Sequence, residues 1–183
     1  MGKFVFFWQS GSPFSQWHAS PFVVGDQKFH CAEQWMMYQK AVLFKDAHIA
    51  KQILKHSNPK DVKQLGREIS GFKNTVWKDY REGIVYVGNY HKFTQNKDIL
   101  PQLLNSKGTL VEASPYDDIW GIKMEKTDPR ANNPSQWAGL NLLGFILTQL
   151  REDLNGAGNP SNITIATAEP VKFTEIRVSK VVI

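Results

Sequence analysis

The stretch Cys31-Ala32-Glu33-Gln34-Trp35-Met36-Met37-Tyr38-Gln39-Lys40-Ala41 contains no glycine or proline, and its residues are good or tolerable helix formers. A helix starting near Cys31 and running to about Phe44 is the reading from which the rest of the fold follows. On that helix Glu33, Met37 and Lys40 stand at i, i+4 and i+7 and share one stripe, while Trp35, Met36 and Tyr38 spread over the other faces. Large apolar groups nearly all round mark a buried helix. A carboxylate and an amine on a buried helix must find partners or line a cleft. Burial raises the pKa of a carboxyl and lowers that of an amine. An acid and an amine both poised near neutrality suit proton transfer and Schiff-base chemistry. The same spacing equally suits a buried ion pair that ties two elements together.

Upstream, Lys3 to Trp8 is apolar and aromatic and reads as a buried strand, broken by Ser10-Gly11-Ser12-Pro13. Phe22-Val23-Val24, a Gly25-Asp26 turn and Lys28-Phe29-His30 read as a hairpin. Downstream, Asp46 caps a second helix, Asn58-Pro59 opens a third, and Asn74 caps a longer one reaching Tyr90 or beyond. Trp77, Arg81, Ile84, Val85, Gly88 and Lys92 follow one stripe of it. Gly83 and Gly88 lower its intrinsic propensity, so packing must hold it. Asp98 to Leu104 forms a short helix and Thr109 to Ala113 a strand. Lys123 to Ser135 is a polar loop expected to be mobile. Asn133-Pro134 opens the last helix, expected to run to about Leu154. The Gly/Asn/Pro-rich run 155–162 is the clearest boundary, and the β-branched stretch 163–183 reads as added strands. The expected architecture is α+β and predominantly α-helical: helices round a small sheet over 1–154, a linker, then a C-terminal β appendage.

A length of 183 residues bounds the chain at one domain or one domain with an appendage. One cysteine excludes an internal disulfide and suits a reducing compartment. No signal-peptide pattern opens the chain and no run is apolar enough to span a bilayer, so a cytoplasmic location is expected. The net charge of +5 favours an anionic partner, a phosphorylated metabolite or nucleic acid. No phosphate-loop, dinucleotide, H-E-x-x-H or C-x-x-C pattern occurs, and the five histidines are dispersed. No cofactor and no metal are therefore expected.

Several pieces stand in a fixed order: Phe14-Ser15-Gln16-Trp17, Ala32-Glu33-Gln34 with Lys40-Ala41, Gly66-Arg67, Trp77 with Arg81, Lys92-Phe93 with Gln95-Asn96. Val111-Glu112-Ala113-Ser114, Asp117 with Trp120-Gly121, and Gly139-Leu140-Asn141 with Leu143-Gly144 and Arg151 follow. No piece is specific alone, but the ordered set over about residues 4–154 resembles the NADAR (YbiA-like) family. Two departures concern substrate detail: Gly121 continues as Ile122-Lys123 where the family often has Gly-x-Gly, and Ser15 precedes Gln16 where many members have Asn.

The resemblance implies an enzyme that hydrolyses an N-glycosidic bond. One branch of the family acts on phosphorylated intermediates of riboflavin biosynthesis, another removes ADP-ribose from guanine in nucleic acid. Carried onto this chain, the resemblance implies Glu33, Lys40 and Asp117 as catalytic residues. Substrate contacts are expected from Phe14, Trp17, Arg67, Trp77 and Arg81, and from Lys92, Asn96, Trp120 and Gly121. Expected partners are ADP-ribose or a phosphorylated nucleoside-like substrate, including ADP-ribosylated DNA or RNA. A non-enzymatic module that binds ADP-ribose or a nucleotide is the third reading.

Overall fold

The computed structural model describes residues 3–156 and 169–179. Contacts divide them into two units: residues 3–18 with 97–156, and residues 19–96 with 169–179.

In the first unit, β1 (Phe4–Phe7) pairs in parallel with β4 (Thr109–Glu112), Phe4 opposite Thr109 and Phe7 opposite Glu112. Among the described residues no third strand covers the open edge of β4. Side chains from and beside α6 (Leu142–Gly156) do so instead. Asn141 Oδ1 accepts from Glu112 N at 2.9 Å, Asn141 Nδ2 donates to Leu110 O at 3.1 Å, and Thr148 Oγ1 accepts from Leu110 N at 3.0 Å. Backbone groups that would be orphaned are thereby satisfied. Gly144 lets the helix approach this closely, because a Cβ there would lie 2.1 Å from Leu110 O. Val111, Ala113, Ile122, Met124 and Ala131 form the core beneath, flanked by Phe4, Phe6 and Trp137. α5 (Leu100–Leu104) packs on α6.

In the second unit, α1 (Ala32–Leu43) packs against α2 (Ala47–Lys55), α3 (Pro59–Leu65) and α4 (Asn74–Gln95). The hairpin of β2 (Phe22–Val24) and β3 (Gln27–Phe29) precedes it. Gln34 anchors α1 from its buried amide: Oε1 accepts from His30 N at 2.7 Å, and Nε2 donates to Ile53 O at 3.1 Å and His56 O at 2.8 Å. Trp35 joins α1 to α4 by donating from Nε1 to Ile84 O at 2.7 Å. Its ring occupies the notch at Gly88, where a Cβ would lie 2.3 Å from Trp35 Cδ1.

Among the described residues the fold is thus mostly helical, with two separate two-stranded sheets rather than one. Three expectations differ from it. The last helix does not start at Asn133-Pro134. Pro134–Gln136 makes only a 3-10 turn, and residues 138–141 spend their backbone donors on a neighbouring loop: Ala138 N on Ile122 O, Leu140 N on Asp118 O, Asn141 N on Gly121 O. Second, the polar loop over 123–135, exposed along most of its length, sends Met124 and Ala131 into the core. Third, the described part of the C-terminal stretch is not β-structure: residues 169–172 are irregular and Phe173–Ser179 form α7, while 163–168 and 180–183, where strands are also expected, lie outside the described residues. The start of α7 explains the difference. Lys172 N donates to Glu175 Oε2 at 3.0 Å, the return bond of a capping box, and Phe173 lies on Tyr86 with ring centroids 5.3 Å apart.

Candidate functional site

The stripe on α1 carries the chemistry. Glu33 is buried on the first turn, and Lys40, half-buried on the last, lies two turns away on the same face. Lys40 Nζ donates to Gly66 O at 2.7 Å, at the end of α3. Gly66 can come this close because it has no side chain: a Cβ would lie 2.1 Å from Met37 Sδ. The amine stands 4.4 Å from the centroid of the Phe72 ring and 5.8 Å from that of Trp77. Both contacts are cation–π attractions when the amine is charged.

Burial is the largest influence on Lys40 and moves its pKa below the usual lysine range. The Glu33 carboxylate works the other way, and the Arg67 guanidinium adds to the lowering. The structure therefore groups Lys40 with Glu33, Arg67 and Trp77, all in the second unit. Arg67 itself is exposed. Arg81, also on α4, is 7% exposed, and its Nε meets no hydrogen-bond acceptor among the described residues.

Lys92 is fully buried, and desolvation brings its pKa down to about 7, opposed by the charge of the Cys31 thiolate when that forms. Asn96 ends α4 with its amide already engaged: Nδ2 donates to Lys92 O at 2.7 Å and to Pro21 O at 3.0 Å. That arrangement holds the hairpin on the helix end.

The remaining expected residues belong to the first unit. Asp117 Oδ1 accepts from Ile119 N at 2.9 Å and Trp120 N at 2.7 Å, a turn that shapes its own loop. Its second carboxylate oxygen has no part in either bond. Gly121 is packed under the Glu112 carbonyl, 2.8 Å from where a Cβ would be. Phe14 is buried edge-on to Phe7, 5.6 Å between centroids, and Trp17 and Trp120 are half-buried.

Two members of the Lys40 environment escape the sequence reading: the carbonyl of Gly66 and the ring of Phe72. A carbonyl carries no residue signal. Phe72 has one, being a large aromatic in the otherwise polar run Ser70-Gly71-Phe72-Lys73.

The chain is 45% identical over 130 residues to Protein irg-1 of Caenorhabditis elegans, covering 69% of this chain and 61% of that protein. It is 38% identical over 146 residues to N-glycosidase R617 of Acanthamoeba polyphaga mimivirus, covering 76% of this chain and 86% of that one. The NMR structure of the E. coli protein YbiA has a similar fold, with a TM-score of 0.70 over 85% of this chain and 87% of YbiA at 24% identity. The model of the NADAR domain matches residues 6–155, and the chain belongs to the NADAR domain family.

Proposed function

We propose that this protein hydrolyses the N-glycosidic bond between ribose C1 and a base nitrogen, and that its substrate is ADP-ribose carried on guanine in nucleic acid. The observation that carries the reading is Lys40: an amine with a burial-lowered pKa, held by the Gly66 carbonyl beside Arg67, Trp77 and Glu33. Its relationship to a protein named as an N-glycosidase supports the reaction class.

In this reading neutral Lys40 attacks C1 of the opened ribose. A C1–Nζ bond forms, the C1–base bond breaks, and the base leaves with a proton supplied by Glu33. Water then adds to the Schiff base at C1, giving up a proton to Glu33 and releasing the free sugar and the amine. Trp77 stacks on a base, and Arg67 takes phosphate.

Borohydride added during turnover tests the mechanism. A covalent adduct that persists in Glu33→Gln and disappears in Lys40→Ala is expected, and no adduct in the active enzyme contradicts the Schiff base. The substrate is tested by offering ADP-ribosylated guanine DNA and, separately, phosphorylated riboflavin intermediates. Release of guanine-bearing DNA supports the reading, and release from the metabolite alone replaces it. Binding of ADP-ribose with no hydrolysis of either makes the protein a binding module.

A further inference from the structure

The ring of Phe72 stays 42% exposed, yet the chain around it is held at fixed points. Asp46 ties down the backbone just before it. Its Oδ1 caps α2 by accepting from Ile49 N at 3.0 Å, and its Oδ2 accepts from Ser70 N at 2.9 Å and Ser70 Oγ at 2.7 Å. The bond from Ile49 N and the two from Ser70 bring the Asp46 pKa down to about 2, so the clamp keeps its charge near neutral pH. Gly71 then turns the chain at φ +67°, in the left-handed region. The Phe72 ring arrives edge-on at Phe44, with centroids 5.2 Å apart and planes at 61°. Phe44 closes α1 one turn after Lys40, donating from its N–H to Lys40 O at 3.2 Å.

The same ring stands 4.4 Å from Lys40 Nζ. A neutral amine gains little from a π face, whereas a positive nitrogen is attracted to it. Gly66 O, at 2.7 Å, likewise bonds most strongly to a charged donor. Among the described residues that carbonyl is the one hydrogen-bond acceptor on Nζ. An ammonium has three N–H groups to place, and an iminium has one. The surroundings thus match a positively charged nitrogen with a single N–H.

We propose that Phe72 is a further catalytic residue: its π face stabilises the positive charge that Nζ carries while Lys40 is joined to C1 as an iminium. This rests on the Schiff-base reading above. In that step Nζ passes one of its two protons through Glu33 to the base, and the base leaves with the electron pair of its bond to C1. Nζ keeps its other proton, which Gly66 O accepts, and a positive charge shared with C1. The ring and the carbonyl meet that charge without having to move.

Fluorine on the ring cancels the negative charge of its π face while nearly keeping its size, so para-fluoro-, difluoro- and trifluorophenylalanine placed at position 72 test the proposal. Two quantities are read: the pH midpoint of the Lys40 amine by NMR, and the initial rate at which Lys40 is labelled by ribose 5-phosphate with cyanoborohydride, by mass spectrometry. The sugar's aldehyde condenses with the neutral amine, its oxygen leaves as water, and hydride reduces the iminium to a stable C1–Nζ bond. Added fluorine is expected to lower the midpoint stepwise, and to slow labelling per neutral amine by about threefold or more over the series. The exposed Lys60 should label alike in every variant. A flat series in both readings makes Phe72 mere packing for Phe44 and overturns the proposal. A falling midpoint with an unchanged rate per neutral amine confines the ring to the ammonium and overturns it too, as does a wild-type protein that forms no adduct at Lys40. If a fluorinated chain does not fold, Phe72→Leu is read in the same way. Because the sugar phosphate carries no base, a protein that hydrolyses no N-glycoside can still meet this test. Borohydride trapping during turnover together with a flat fluorine series sinks the role of Phe72 and leaves the proposed reaction standing.

Discussion

Lys40 is where one atom decides chemistry, and its surroundings allow the sign of each neighbour to be worked out. Burial favours the neutral amine, Glu33 favours the charged one, and Arg67 favours the neutral one. The neutral fraction therefore rises with pH through a pKa below the ordinary lysine value. Removing Arg67's charge in Arg67→Met moves that midpoint up, and Glu33→Gln moves it down. An NMR titration of the Lys40 amine checks both, and shifts in the opposite directions would break the electrostatic account. Lys92 makes a separate prediction about stability. Its folded pKa of about 7 lies below the unfolded lysine value, so the unfolded chain binds more protons between them. Its penalty is full below pH 7 and relieved as pH rises towards 10, at up to about 1.4 kcal/mol per pH unit. The stability gained by Lys92→Met over the wild type should then shrink between pH 7 and 10 in urea denaturation. A gap independent of pH would mean that Lys92 keeps its proton in the folded protein across this range.

At the scale of elements, the fold was legible where local signals acted alone. The helices α1 to α3 follow from an unbroken run, the Asp46 cap and the Asn58-Pro59 start; Asp46 accepts from Ile49 N at 3.0 Å as its position predicts. The spacing of Glu33 and Lys40 was legible for the same reason. The failures came where distant backbone decided the matter. Residues 138–141 have helical periodicity but bond to the loop after Asp117, and residues Phe173–Ser179 of the β-branched tail form a helix whose first residue lies on Tyr86. The glycines of α4 show both levels at once. They read as weaknesses in sequence, yet Gly88 is the seat of Trp35. Gly88→Ala gains up to about 1 kcal/mol in helix propensity but drives a Cβ into the indole and strains its bond to Ile84. A net loss of about 1–3 kcal/mol is expected from overpacking. Equilibrium denaturation followed by tryptophan fluorescence measures it, and a stabilised variant would show that the indole relocates freely.

At the scale of the whole chain, the family match ends at residue 155, while the structure continues to a segment with its own place in the second unit. Residues 171–173 lie across α4 at Gly83, where a Cβ would be 2.1 Å from Val171 O. Lys172 reaches Asp79 at 3.9 Å and the face of Tyr80 at 5.3 Å, Phe173 covers the fully buried Tyr86, and Ile176 is buried. The exposed ion pair adds little, so the attachment rests on the aromatic and aliphatic burial. Because the atoms nearest to a Cβ at Gly83 all belong to residues 171–173, its substitution should change sign with the tail's presence. In the full chain Gly83→Ala pushes against backbone, which has no rotamer to escape into, and should destabilise. In a chain ending at Gly156 the same change no longer meets that backbone and should stabilise by up to about 1 kcal/mol, the ordinary gain of alanine over glycine in a helix. Cutting the tail alone should lower stability by uncovering Tyr86. The four proteins form a double-mutant cycle whose coupling term measures the attachment of the tail to α4. Additive effects, with Gly83→Ala acting alike in both chains, would mean that the segment does not rest on the helix in solution.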